Sequence, residues 1–348
     1  MLLYGATGYT GRLIIEEALQ KGLPIIIAGR NQQTVSTLAS QYNLPYRVAE
    51  LSNPGQLDAI LQEITVVLHA AGPFAITAEP MIDACMRNKV HYLDITGEIS
   101  VFEYAHSLNR QAMNAGIMLL PGCGFDVVPT DSMASWLHEL LPDATHFELA
   151  FVSIGGGVSH GTASSMVNKL GEGGAIRKDG VIIHHPLGKF GKWVDIEGKK
   201  FFVMSIPWGD VSTAFYTTGI PNIIIYTGMP PKVYRLLKFQ KLFNWMLRTR
   251  FVRQLLQGKI DKRAPGPDAA KRAVSSSLVI AEVRNIQGAI RKGFLKAPGG
   301  YTMTAHTSVL IAGKVLNDHF KPGFQTPAGC YGNKMVLEIE GVHRRLID

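Results

Sequence analysis

The sequence predicts an α/β protein: a doubly wound parallel sheet, joined to a second α+β domain built on a mainly antiparallel sheet. Three observations lead there. Between Leu2 and Leu120 short apolar runs alternate with longer amphipathic segments, the pattern of strands linked by helical crossovers. A glycine-rich turn follows the first run and opens the first amphipathic segment. Past Pro129 the texture changes to alternating or β-branched runs punctuated by glycine.

The first six strands are placed at Leu2–Tyr4, Pro24–Ala28, Tyr46–Ala49, Thr65–Ala70, His91–Ile95 and Ile117–Leu120. Helices begin near Tyr9, Asn31, Pro54, Thr77 and Glu98. Strands in that number, with five crossovers, make a Rossmann-type dinucleotide fold. The third helix is signalled most clearly, because Ser52 and Asn53 offer a cap and Pro54 sits where a missing N–H costs nothing. Farther on, a helix at Asp131–Leu141 leads into strands at Thr145–Ile154, Gly180–His184, Lys200–Ile206, Val211–Thr217 and Asn222–Thr227. Leu278–Asn285 and Gly288–Lys296 flank a turn and read as a hairpin, Tyr301–Asn317 as a helix, and Met335–Glu340 as a closing strand. The Pro-Gly-Pro stretch within Asp261–Asp268 reads as a loop.

With 348 residues the chain has room for two domains. Hydrophobic residues make up 46% and charged residues 18%, a globular composition. Thirty-five basic residues against 27 acidic ones give a formal charge of +8, which favours anionic ligands or surfaces without naming one. Cys85, Cys123 and Cys330 lie far apart, so neither a disulfide framework nor a metal site is expected, and a reducing, cytoplasmic setting is the default. The N-terminal apolar stretch is broken at once by Gly5 and does not read as a signal peptide. No apolar run approaches the ~20 residues that span a bilayer. No finger, helix-turn-helix or RNP pattern accompanies the positive charge, so nucleic acid is not expected as a partner.

The chemistry-bearing motif is LLYGATGYTGRLI, in which Gly5, Gly8 and Gly11 separate a strand from a helix and enclose Ala6, Thr7, Tyr9 and Thr10. Glycine permits positive φ and lets backbone N–H groups approach a pyrophosphate, whose charge the helix N-terminus favours. The second strand ends in Gly29, Arg30 and Asn31. An NAD enzyme commonly places Asp or Glu there for the ribose 2′-OH, whereas a guanidinium suits the 2′-phosphate, so the cofactor expected is NADP(H). Strand four ends in Ala71, Gly72 and Pro73, small residues at the carboxyl edge where ligands bind in open α/β sheets. Strand five ends LDITGE, which offers Asp94, Thr96 and Glu98 as polar contacts, with a helix cap the simpler role for Thr96. The expected cofactor residues are thus Gly5 to Gly11, Arg30, Asn31, Ala71 to Pro73 and Thr96.

The set GATGYTG, AGRN, AAGPF, YLDITGE and PGCGFDVVPTD resembles the saccharopine dehydrogenase-like oxidoreductases, a family that includes lysine-pathway saccharopine reductases and trans-acting enoyl reductases. The likeness covers the first ~130 residues well. GGYTMTAHTS and GFQTPAGCYG resemble stretches of the enoyl reductase branch, which is the nearer one. The resemblance implies a discontinuous layout: residues 1–128 and 298–348 forming the NADP-binding domain, and 129–297 an inserted domain for substrate binding and dimerisation. It also implies an NADP-dependent reductase acting on a carbonyl or enoyl group, with an acyl or lipid-like substrate. No residue set for a substrate with three carboxylates is recognisable, which speaks against saccharopine itself. Two other readings stay open: an NADP-binding regulator without turnover, and an amino-acid dehydrogenase.

Asp126 and His160 are the candidate catalytic residues. Asp126 follows the sixth strand and can orient substrate or cofactor, or equally serve packing and capping. His160 stands in SIGGGVSHGTASSM as an acid or anion-binding group with the right titration range. Cys123 reads as a small buried residue rather than a nucleophile, Gly155–Gly157 as a turn rather than a second anion cradle, and Tyr301 and His306 of the return helix as residues that either pack in the core or reach the cleft. From Pro230 to Lys259 the chain carries Lys232, Arg235, Lys238, Lys241, Arg248, Arg250, Arg253 and Lys259, interleaved with large apolar residues and with no acidic one. That pattern fits peripheral membrane contact or a solvated basic surface.

Overall fold

The computed structural model describes residues 1–168, 171–247, 249–260, 262 and 264–347. The expected basic residue Arg248, and Asp261 and Arg263 of the expected loop, lie outside the described residues, as does the terminal Asp348.

The chain begins β1 (Leu2–Tyr4), α1 (Tyr9–Gln20), β2 (Ile26–Gly29), α2 (Gln32–Tyr42), β3 (Tyr46–Val48), α3 (Pro54–Ile60), β4 (Val66–His69), α4 (Phe74–Asn88), β5 (His91–Asp94), α5 (Ile99–Ser107), α6 (Asn109–Ala115) and β6 (Met118–Leu120). It continues through α7 (Val128–Leu140), β7 (His146–Ile154), α8 (His160–Asn168), β8 (Gly174–Lys178), β9 (Val181–His185), β10 (Gly191–Ile196), β11 (Lys199–Ser205), α9 (Asp210–Thr218) and β12 (Asn222–Gly228). The remainder is α10 (Pro231–Leu237), α11 (Asn244–Leu247), α12 (Arg250–Ile260), α13 (Ala269–Val274), β13 (Ser276–Arg284), β14 (Ile290–Pro298), α14 (Gly300–Leu316), β15 (Gly323–Phe324), α15 (Pro327–Tyr331) and β16 (His343–Leu346).

These elements divide into two units, Met1–Val128 with Tyr301–Tyr331, and Pro129–Gly300 with Gly332–Asp348. In the first, among the described residues, seven strands pair in the order β15-β6-β5-β4-β1-β2-β3, and every pairing is parallel. The strand order reverses between β1 and β4, so the carboxyl ends of those two strands border the crevice where such folds take ligands. β1, β4, β5 and β6 are buried at every position, as strands covered by helices on both faces must be. Local chemistry sets the helix starts: Asn31 Oδ1 accepts from Thr34 N–H, and Asn53 Oδ1 accepts from Gln56 N–H with Pro54 at the first position.

The second unit is built on a mixed sheet. Among the described residues its strands run β10-β11-β12-β7-β13-β14-β16, and the hairpin β8–β9 attaches to β12. β12 and β7 are parallel; the other neighbours are antiparallel. Ala150, Val152, Val203, Tyr226, Leu278 and Phe294 form a core on this sheet together with Ile196 of β10. α7 packs so closely on β14 that a Cβ at Gly293 would stand 2.7 Å from Met133 Cε.

Three expectations need correction. Val211–Thr217 is not a strand but lies in helix α9, whose residues Asp210–Ala214 are all buried and which ends in Gly219 at φ 75°. Its β-branched and aromatic residues mimic a strand pattern, but burial on several sides overrides propensity. Met335–Glu340 is a 3-10 turn over Met335–Glu338 rather than a strand. Gly332–Asp348, expected with the nucleotide domain, goes to the second unit, because β16 pairs with β14 over Gly293–Lys296.

Candidate cofactor site

At the carboxyl edge of the first sheet the chain turns from β1 into α1 through Gly5–Gly8. Gly5 adopts φ 90°, and its N–H donates to Ala28 O of β2 at 3.0 Å. A Cβ there would lie 2.7 Å from Ala71 N, so only glycine lets the loop pass this close to the end of β4. Gly11 is needed for another reason. A Cβ on it would run into Gly5 O and stand 2.8 Å from Ala6 Cα, so glycine allows the first turn of α1 to sit on the loop. Gly8 is the N-cap of α1, in extended conformation and with no side chain to cap the helix. The opening N–H groups of a helix lack intrahelical acceptors and carry its positive dipole end, the feature by which helix N-termini attract anionic groups such as phosphates.

Arg30 is exposed directly after β2, and it bears on the buried phenol of Tyr4, which donates to Ala49 O at 2.9 Å. Burial pushes the Tyr4 phenol up to about 12, with Arg30 pulling it down and Glu50 up. Asn31 spends its side-chain oxygen on capping α2. Arg30 is therefore the exposed charged group at the end of β2, and no carboxylate stands within Gly29–Asn31.

Ala71, Gly72 and Pro73 follow β4 at the same edge, joined by a cis Gly72–Pro73 bond, with Pro73 the N-cap of α4. Thr77 Oγ1 donates to Ala71 O at 2.6 Å and so ties this turn to its helix. Glu98, expected from sequence as a polar contact, caps α4: its carboxylate accepts from Phe74 N–H at 3.1 Å and Ala75 N–H at 3.2 Å. Thr96 is fully buried and its hydroxyl accepts from Glu98 N–H at 3.0 Å, so it builds a turn rather than offering a side chain to a ligand.

Asp94, at the end of β5, organises the neighbouring loop. Its carboxylate is fully buried and accepts from Tyr92 Oη at 2.8 Å, Thr96 N–H at 2.9 Å and Gly122 N–H at 2.8 Å. Burial raises it to about 7 against the pull of these donors. From α14, Thr304 Oγ1 accepts from Phe125 N–H at 3.0 Å and Thr307 Oγ1 donates to Cys123 O at 2.8 Å. Residues 122–125 are thus held from two sides. They present Asp126 against Gly97, where a Cβ would meet Asp126 Oδ2 at 2.8 Å. Glycine at 97 is what admits that carboxylate. The sequence did not single out Thr304 and Thr307; their spacing of three on one helix face, inside GGYTMTAHTS, was the available signal.

Other candidates separate. Cys123 is buried and its thiol is pushed up by burial, which makes it inert. Tyr301 stacks edge-on with Tyr9, ring centres 5.0 Å apart, beside the glycine loop. His306 pairs instead with Glu17 of α1 at 2.9 Å. His160 belongs to the second unit, where it opens α8 and donates its N–H to Pro265 O at 2.9 Å. Gly155 and Gly156 have positive φ, as a turn requires. Among the described residues no cluster of three or more His, Cys, Asp or Glu side chains is arranged to hold a metal ion.

A parallel sheet with this strand order, loop and arginine is a dinucleotide-binding unit. Residues 1–120 match the family model "Saccharopine dehydrogenase NADP binding domain". These residues are therefore similar to an NADP-binding domain of the saccharopine dehydrogenase type, and the cofactor that the matched family model indicates is NADP(H). The chain is 26% identical over 205 residues to a saccharopine dehydrogenase-like oxidoreductase of Rattus norvegicus, covering 51% of this chain and 47% of that protein. It is 34% identical over 139 residues to a trans-acting enoyl reductase of Mycobacterium leprae, covering 38% of this chain and 33% of that protein. The chain spans about half the length, or less, of the curated relatives it matches. In fold it is similar to saccharopine dehydrogenase (L-Glu forming) from Saccharomyces cerevisiae, with a TM-score of 0.67 at 13% identity, covering 100% of this chain and 99% of that one. By their names, these two curated relatives are an oxidoreductase and an enoyl reductase.

Proposed function

We propose that the chain is an NADP(H)-dependent reductase that delivers hydride to a carbonyl or enoyl carbon of an acyl or lipid-like substrate. The observation that carries the cofactor half is the glycine loop, closed on β4 by Gly5, with Arg30 exposed at the end of β2. The enoyl half is supported by the likeness to an enoyl reductase. When bound, the reduced nicotinamide supplies the hydride. The protein's own tasks are to bind and to position. The first turn of α1 takes the pyrophosphate and Arg30 takes the 2′-phosphate. Asp126, held in place by Gly97 and the 122–125 loop, orients the reacting end. His160 is the candidate proton donor, because an imidazole is a side chain able to act as a general acid.

The test is NADPH oxidation on a panel of 2-enoyl thioesters, 3-ketoacyl thioesters and imines made from amino acids. Turnover of the enoyl or keto members, with kcat lowered in His160→Ala and Asp126→Asn, is the expected result. Turnover of the imines alone would overturn the acyl reading, and tight NADPH binding without turnover of any member would make the chain a nucleotide-binding regulator.

A further inference from the structure

The stretch Pro230–Ile260 carries α10, α11 and α12, and its side chains fall into two sets. The inner set fastens it to the second unit. Gln240 is buried and its amide donates to Leu187 O at 2.7 Å, Gln257 donates to Ser164 Oγ at 2.9 Å, Tyr234 packs on the ring of Phe202, and Ile260 is buried. The outer set stands in solvent: Leu236, Phe239, Leu242, Trp245 and Phe251 are 62, 61, 74, 71 and 73% exposed. A soluble surface scatters such residues singly; here they are concentrated between positions 236 and 251.

Charge decides what can cover them. Lys232, Arg235, Lys238, Arg250 and Lys259 are exposed among these apolar groups, and no Asp or Glu occurs from 230 to 260. Two copies of the patch facing each other would oppose like charges in an apolar setting. A surface that is apolar within and anionic at its rim matches both features. Tryptophan and phenylalanine seat at the boundary between headgroups and acyl chains, while lysine and arginine stems reach outward to anionic headgroups. Among the described residues no helix is long and apolar enough to cross a membrane, so the contact is peripheral.

We propose that Pro230–Ile260 is a docking surface for lipid bilayers bearing anionic headgroups. It stands independently of the reductase reading, because none of its residues belongs to the nucleotide unit.

The test uses the full chain and vesicles of phosphatidylcholine, with and without phosphatidylserine, at low and high salt. Expected are co-sedimentation with the anionic vesicles at low salt, little with neutral ones, and release as salt screens the contact. The Lys232→Glu/Arg235→Glu/Lys238→Glu variant should bind anionic vesicles roughly a hundredfold more weakly. Trp245→Ala/Phe251→Ala should also weaken binding, with NADPH affinity and thermal stability unchanged. Three results would overturn the proposal: no co-sedimentation with anionic vesicles at low salt, equal binding by the charge-reversed variant, or a stable dimer that Trp245→Ala/Phe251→Ala converts to monomer.

Discussion

The cofactor edge of the first unit and the basic segment of the second invert each other's use of polarity. Around the glycine loop, polar side chains are buried and bonded: Asp94, Thr96, Glu98 and Thr307 each have partners within the unit. Along Pro230–Ile260, apolar side chains are exposed and no acidic residue occurs in the segment, although Arg253 reaches Glu172 outside it at 4.0 Å. The first arrangement fixes geometry before a ligand arrives, so little ordering remains to be done on binding. The second leaves its contacts to be made with something else. One chain therefore carries a tightly bonded sheet edge and an exposed apolar, basic segment, and the two should respond differently to substitution.

Gly11→Ala should show the largest difference. The new Cβ would meet Gly5 O and Ala6 backbone, which cannot yield as a flexible side chain can. A loss of about 3 kcal/mol in urea unfolding, with weakened NADPH binding, is expected. Phe251→Ala, at 73% exposed, should change stability by less than about 0.5 kcal/mol. Equal losses would break the comparison.

Next is Arg30→Ala, which should cost about 2 kcal/mol of NADPH affinity and leave NADH affinity unchanged in calorimetric titration. An unaltered NADPH/NADH ratio would remove Arg30 from the 2′-phosphate.

A further effect sharpens the contrast through pH. His69 is fully buried at the end of β4, and burial lowers it from 6.5 to about 3. Its neutral form supports the fold above pH 6.5, and that support is lost as pH falls toward 3. Asp94 works the other way: raised from 3.8 to about 7, it favours the fold most below 3.8 and loses that contribution as pH rises through 7. His69→Phe should therefore lose less stability than the natural chain between pH 6.5 and 4.5, measured by urea unfolding. Parallel curves would show that His69 contributes no such term.

Much of the first unit was legible because its determinants are local. Three glycines between an apolar run and an amphipathic one, Asn53 before Pro54, and Arg30 after β2 act within a few residues of where they stand. The second unit was less so. α9 reads as a strand because Val211, Thr213, Phe215 and Thr217 alternate, and nothing within seven residues reveals that it is buried on several sides. β16 looks like a tail until its pairing with β14 is known.

The sequence by itself determined the alternation of strands and helices, the dinucleotide loop and the NADP preference, since each follows from backbone sterics or from charge at neighbouring positions. Only the tertiary structure decided where side chains with several legitimate partners would go. It sent Glu98 to the start of α4, turned Thr96 inward, set Asp94 beneath Gly122, brought Thr304 and Thr307 from 179 and 184 residues away to hold residues 125 and 123, and left Trp245 and Phe251 in solvent. A carboxylate or hydroxyl must find a partner when buried, but its own sequence neighbourhood does not say which one.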